Sequence, residues 1–171
     1  MEGVASEAAS LAGTLKLSKL IYLYDDNHIS IEGETDLAFT ENVRERFEAY
    51  GWNVLKVANG NDRVDIEKKI RMAQSEKETP SLIIVRTHIG YGSPKQDTAA
   101  VHGSPLGSEA LLVTKENLGW PTEPSFYIPD DALNHFRQAI PKGEKLETKW
   151  RKLLDDFRRE YPSVAEQVDL V

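Results

Sequence analysis

Three short apolar runs, residues 20–24, 52–57 and 81–87, are separated by two stretches with a helical period, and no other feature constrains the fold as much. In the first stretch Val43, Phe47 and Tyr50 share one helix face, with Thr40 placed as N-cap and Gly51 as the stop. In the second, residues 65–74, Ile66, Ile70 and Ala73 form the inward stripe. Parallel strands need a crossover that returns the chain to the starting end of the sheet, and a helix is the usual one. The expected class is therefore α/β: three layers, a mostly parallel sheet with helices on both faces. Residues 20–24 are almost wholly apolar, which fits a central strand buried on both sides.

Near the start, Ala8, Leu11, Ala12 and Leu15 fall on one face of a small-residue helix that no strand precedes. The chain is thus expected to begin partway through a domain, with a sheet incomplete at its N-terminus. Residues 88–107 have no period, and long irregular segments in compact domains are often functional. Helices are expected over 108–118, with Ser108 as cap, over 130–139 and over 144–160. Trp150, Leu153, Leu154 and Phe157 make the stripe of the last, suited to a core or an interface. The expected division is 1–119 and 120–171, the second opening on a connector rich in proline and aromatic residues.

Charge and composition exclude several functions. A net charge of −7 leaves no electrostatic footprint for nucleic acid or an anionic membrane, so neither is expected as a partner. The absence of cysteine removes disulfides, thiol catalysis and thiolate metal sites. No apolar run reaches transmembrane length, and a cytoplasmic location is the expectation.

The first apolar run breaks directly into Asp25-Asp26-Asn27. Ligands of open α/β sheets collect beyond the carboxyl ends of strands, and oxygens placed there suit a hard cation such as Mg²⁺ completed by phosphate oxygens. A polar strand-to-turn cap is the alternative, since Asp and Asn are common turn formers. In the irregular segment, glycine-rich stretches on either side of His102 invite close backbone approach to a ligand, with a surface loop as the alternative.

Several segments together resemble one family. Met1-Glu-Gly with Ser6-Glu-Ala-Ala-Ser-Leu-Ala12, Tyr24-Asp-Asp-Asn27 with Ile29 and Ile31, Phe47-Glu-Ala-Tyr-Gly-Trp52, Thr87-His-Ile-Gly-Tyr-Gly-Ser93 and His102-Gly-Ser-Pro-Leu106 are similar to transketolase, in its order and near its spacing. The part resembled is the later portion of the diphosphate-binding domain, residues 1–119, running into a helical extension and linker toward the pyrimidine-binding domain. The resemblance implies thiamine diphosphate and Mg²⁺ or Ca²⁺ as cofactors, sugar phosphates as substrates and a homodimer as the assembly. It implies that Asn27, through its side chain, and Ile29, through its carbonyl, ligate the metal. Ile31 and Ile89 correspond to the apolar flanks of the thiazolium ring. His102 corresponds to the loop histidine near the diphosphate and reacting carbon, a cofactor-binding and catalytic position. His28 and His135 match no functional position of the family.

The same resemblance marks what is not in these 171 residues: the Gly-Asp-Gly opening of the cofactor motif, upstream histidines, and the domain with the activating glutamate. Two expectations follow. The chain is part of an enzyme transferring two-carbon ketol units between sugar phosphates, inactive alone; or it is a non-catalytic truncated polypeptide acting as a binding or interaction protein.

Overall fold

The computed structural model describes residues 3–168, so Met1 and Glu2 of the first matching segment lie outside the described residues. The chain divides into two compact units, Met1–Thr122 and Glu123–Val171. In the first, α1 (Gly3–Thr14) leads to β1 (Ile21–Asp26), α2 (Val43–Ala49), β2 (Asn53–Val57), α3 (Arg63–Ser75), β3 (Ser81–Arg86) and α4 (Ser108–Asn117). The three strands are parallel, in the order β1-β3-β2, with Asp26 opposite Arg86 and Val57 opposite Val85. All three strands therefore end on the same side, which is where the site is built.

Two layers of helix sandwich the sheet because residues alternate in facing along each strand. On one face Ala9 and Ala12 of α1, Phe47 of α2 and Trp52 pack on Val54, Leu82 and Ile84. On the other, Ala73 of α3 packs on Val57, Ile83 and Val85, with Ile66 and Ile70 alongside. The inward stripe expected for α3 is thus the one observed, and Asp62 caps the helix, accepting from the Val64 and Asp65 amides at 3.0 and 3.1 Å. A cap of this kind contributes about 1 kcal/mol. The polar group in the centre is satisfied as well: Ser81 is fully buried and its Oγ accepts from Asn53 Nδ2 at 3.0 Å.

Four expectations are corrected. The central strand is β3, whose first five residues are all buried, whereas β1 lies at the edge of the described sheet with Tyr22 and Leu23 half-exposed. The buried face of α1 is Ala9 and Ala12, while Ala8, Leu11 and Leu15 are exposed. The reason is closeness: an alanine Cβ on Gly13 would lie 1.8 Å from the Tyr50 carbonyl oxygen, so only the smallest side chains fit between α1 and the end of α2. The N-cap of α2 is Asn42, accepting from Arg44 and Glu45 amides at 3.1 and 3.3 Å, not Thr40. Ser108 is the first residue of α4, with Gly107 at the cap position.

In the second unit, α5 (Asp130–Arg137) is followed by α6 (Ala139–Glu160) and α7 (Pro162–Val168). Helix α6 starts five residues before the expected position 144. Pro141 permits this, because in a first helical turn its missing N–H has no acceptor to lose. Of its stripe, Leu154 and Phe157 are half-buried, while Trp150 and Leu153 are 57% and 66% exposed.

Candidate functional site

At the carboxyl ends of the strands the sheet face that α1 and α2 cover lower down is left open. Helix α2 has only seven residues, and beyond its N-terminus a cleft of about 670 Å³ is lined by Tyr24, Asp26, Asn27, Ile29, Arg86 and Asp97, among others. Parallel pairing places these residues together: Thr87 N donates to Asp26 O at 3.4 Å, continuing the β1–β3 ladder to its last rung.

The three oxygen-bearing residues that end β1 part company here. The Asp25 carboxylate accepts from Thr87 Oγ1, and the Asp26 carboxylate stands 3.3 Å from His28 Nε2. Asn27 turns its side-chain oxygen back on its own chain, accepting from the Ile29 amide at 2.8 Å. His28, in the left-handed region at φ 64°, makes that reversal possible. A small hairpin follows, in which Ser30 N donates to Gly33 O and Thr35 N donates to His28 O at 2.7 and 3.0 Å. Those two bonds flank the Ile29–Glu34 bridge and make it a non-hydrogen-bonded pair. In such a pair the N–H and C=O of Ile29 both point away from Glu34. The N–H meets Asn27 Oδ1, so the Ile29 carbonyl oxygen and the Asn27 amide oxygen lie on one side of the hairpin.

That donor set fits a hard cation. Two neutral oxygens are suited to Mg²⁺ or Ca²⁺ when anionic diphosphate oxygens complete the sphere. Among the described residues no cluster of three or more His, Asp or Glu side chains could hold a metal without such help. Tyr24, behind the site, is held protonated more firmly than usual, first by burial and then by the charges of Asp26, Asp25 and Glu41. In the cleft lining the carboxylates of Asp26, Glu34, Asp36, Glu41 and Asp97 outnumber the cations Arg44, Lys56 and Arg86, which favours a cation over a bare anion.

The remaining candidates stand elsewhere. Ile31, at the tip of the hairpin, is 67% exposed. Ile89 is half-buried at the start of the loop after β3, and His102 is exposed, closing the 3₁₀ turn Ala99–Val101 with its amide on Ala99 O at 3.0 Å. The cleft lining includes Asn27 and Ile29 but not Ile31, Ile89 or His102. Sequence reasoning did not anticipate Asp97, which faces the cleft and holds His88 Nδ1 at 2.8 Å. Its carboxyl is kept below the usual carboxylate range, chiefly by that hydrogen bond, with Gln96 and the positive charge of Arg86 adding to it.

This geometry has relatives. A family described as "Transketolase, thiamine diphosphate binding domain" matches residues 1–171. The fold is that of a thiamine diphosphate-binding α/β domain. The transketolase of Nostoc sp. (strain PCC 7120 / SAG 25.82 / UTEX 2576) is 50% identical over 171 residues, 99% of this chain and 25% of that protein. That of Aquifex aeolicus is 48% identical over 169 residues, 99% of this chain and 24% of its own length. The crystal structure of transketolase from Pichia stipitis in complex with sedoheptulose 7-phosphate superposes with a TM-score of 0.79 at 36% identity, covering 99% of this chain and 25% of that one. The chain belongs to the transketolase family, and it spans about a quarter of the length of the relatives it matches.

Proposed function

We propose that this chain supplies the metal- and diphosphate-holding side of a thiamine diphosphate site, within a protein that transfers two-carbon ketol units between sugar phosphates. The observation that carries this reading is the Asn27 side-chain oxygen held 2.8 Å from the Ile29 amide at the carboxyl end of β1, on the edge of Ile29 turned away from Glu34. These two oxygens hold Mg²⁺ or Ca²⁺, which neutralises the diphosphate. Thiamine diphosphate, when bound, supplies the electron sink that lets a ketol unit leave one sugar phosphate and join another. Ile31 and Ile89 wall the ring and exclude water, which strengthens the electrostatics of the reacting centre. His102 donates a hydrogen bond to a phosphate or substrate oxygen. In the homodimer proposed with this reading, a second copy would complete the wall beside Ile31. Among the described residues no helix is long and apolar enough to cross a membrane.

Removing the metal tests the reading. In a full-length transketolase carrying this segment, chelation followed by gel filtration is expected to strip thiamine diphosphate and abolish ketol transfer. Mg²⁺ or Ca²⁺ with fresh cofactor should restore both. The 171-residue chain alone is expected to show no turnover. Cofactor retained without a divalent ion, or robust transfer by the isolated chain, would contradict the assignment.

A further inference from the structure

The loop between β3 and α4 is tied down at two places by different means. Away from the sheet, Asn117 Nδ2 donates to Gly92 O at 2.8 Å, and a Cβ on Gly92 would meet Leu118 at 2.8 Å. That end of the loop therefore sits on the end of α4. Close to the sheet the tie is a side-chain pair that the site as read above does not use. His88 Nδ1 lies 2.8 and 3.1 Å from the two carboxylate oxygens of Asp97, and Gln96 Nε2 reaches the same carboxylate at 3.3 Å. An ionised carboxylate only accepts, so His88 Nδ1 carries the proton and donates. The Asp97 amide in turn donates to the Ile89 carbonyl at 3.0 Å.

The pair closes a ring of residues that contains Ile89. The chain leaving Asp97 folds back over the ring's start: a Cβ on Gly90 would lie 3.0 Å from Val101 Cγ2. Val101 immediately precedes His102. Asp97 itself has φ 58°, a left-handed conformation in which glycine would be free of strain.

Resting on the function proposed above, we infer that Asp97 is a positioning residue of the cofactor site. Its carboxylate, through the Nδ1–H of His88, holds the loop in the shape that presents Ile89 and His102 before the cofactor arrives. It acts through His88 and moves no proton. Rigid support of this sort governs binding more than the chemical step, since the loop's ordering is completed in advance.

Two measurements decide the matter. In the 171-residue chain, nitrogen NMR of His88 is expected to show a protonated Nδ1, and amide exchange should separate the loop from the core. Asp97→Gly is expected to speed exchange at the Asp97 and His102 amides by about tenfold, leaving Ile83 and Val85 unchanged. Asp97→Asn should fall between, because a neutral acceptor makes a weaker bond than a charged one. If Asp97→Gly exchanges no faster than the parent, the residue serves only its backbone angle and the inference is overturned. An unprotonated His88 Nδ1 in the parent overturns it without any variant. In a full-length transketolase carrying the segment, Asp97→Asn is expected to weaken thiamine diphosphate binding by about tenfold while turnover at saturating cofactor stays within about twofold. If Asn27→Ala weakens binding and Asp97→Asn does not, the positioning role is wrong and the site stands. If neither weakens binding, the site itself is wrong, and with it the role of Asp97 in serving it.

Discussion

Replacing Gly13 with alanine is expected to destabilise the first unit by about 3 kcal/mol or more, lowering its melting temperature by roughly 10 °C. In an ordinary helix the change would help, since alanine is the better helix former by about 1 kcal/mol. Here the new methyl would stand 1.8 Å from the Tyr50 carbonyl oxygen and 3.0 Å from its carbon. That carbonyl cannot step aside. The Tyr50 amide is bonded to Arg46 and Phe47 carbonyls at 3.2 and 3.1 Å, and Gly51 turns the chain immediately afterwards with φ 84°. Helix α1 must therefore lift away, uncovering Ala9 and Ala12 and the sheet face beneath them. Thermal unfolding followed by circular dichroism reads the effect; a melting point equal to or above the parent's would show that α1 is not packed this closely.

The second large effect is expected at Trp52. Its indole is 4% exposed, edge-on to Phe47 at 5.2 Å and tilted on Tyr22 at 5.5 Å, so it joins β1, α2 and the start of β2. Its Nε1 also donates to the Ala9 carbonyl at 2.8 Å, across 43 residues of sequence. Trp52→Ala removes both and is expected to cost about 3–5 kcal/mol. Trp52→Phe keeps most of the packing and loses the hydrogen bond, for about 1 kcal/mol. Denaturant midpoints of the two variants check the split. Equal losses would mean that the bond to α1, not ring burial, holds this corner.

The sequence disclosed the alternation of strands and helices because parallel βαβ units stamp two different periods on the chain. It could not disclose strand order. An apolar run reads the same at the centre or the edge of a sheet, and residues 20–24 read as central although β3 occupies that place. In α1 the leucines carry the stronger apolar signal, yet the close approach at Gly13 selects alanine for the buried face. Asn27 was legible because it ends an apolar run, where α/β sheets gather ligands. The Asx-type bond to Ile29 that orients its oxygen was not, since a turn and a ligand site ask for the same residue. The His88–Asp97 pair was invisible for a different reason: it joins two points of a segment without period, brought together only by the turns between them.

The most direct test of the account is calorimetric titration of thiamine diphosphate, with saturating Mg²⁺, into full-length transketolase carrying Asn27 or Asn27→Ala. Loss of one metal oxygen is expected to weaken cofactor binding by about tenfold or more. The Asx-type bond that is lost with it contributes only about 1 kcal/mol, so the melting temperature of the cofactor-free protein should fall by no more than about 4 °C. Unchanged affinity together with a collapsed melting temperature would contradict the account, and would make Asn27 a turn residue and nothing more.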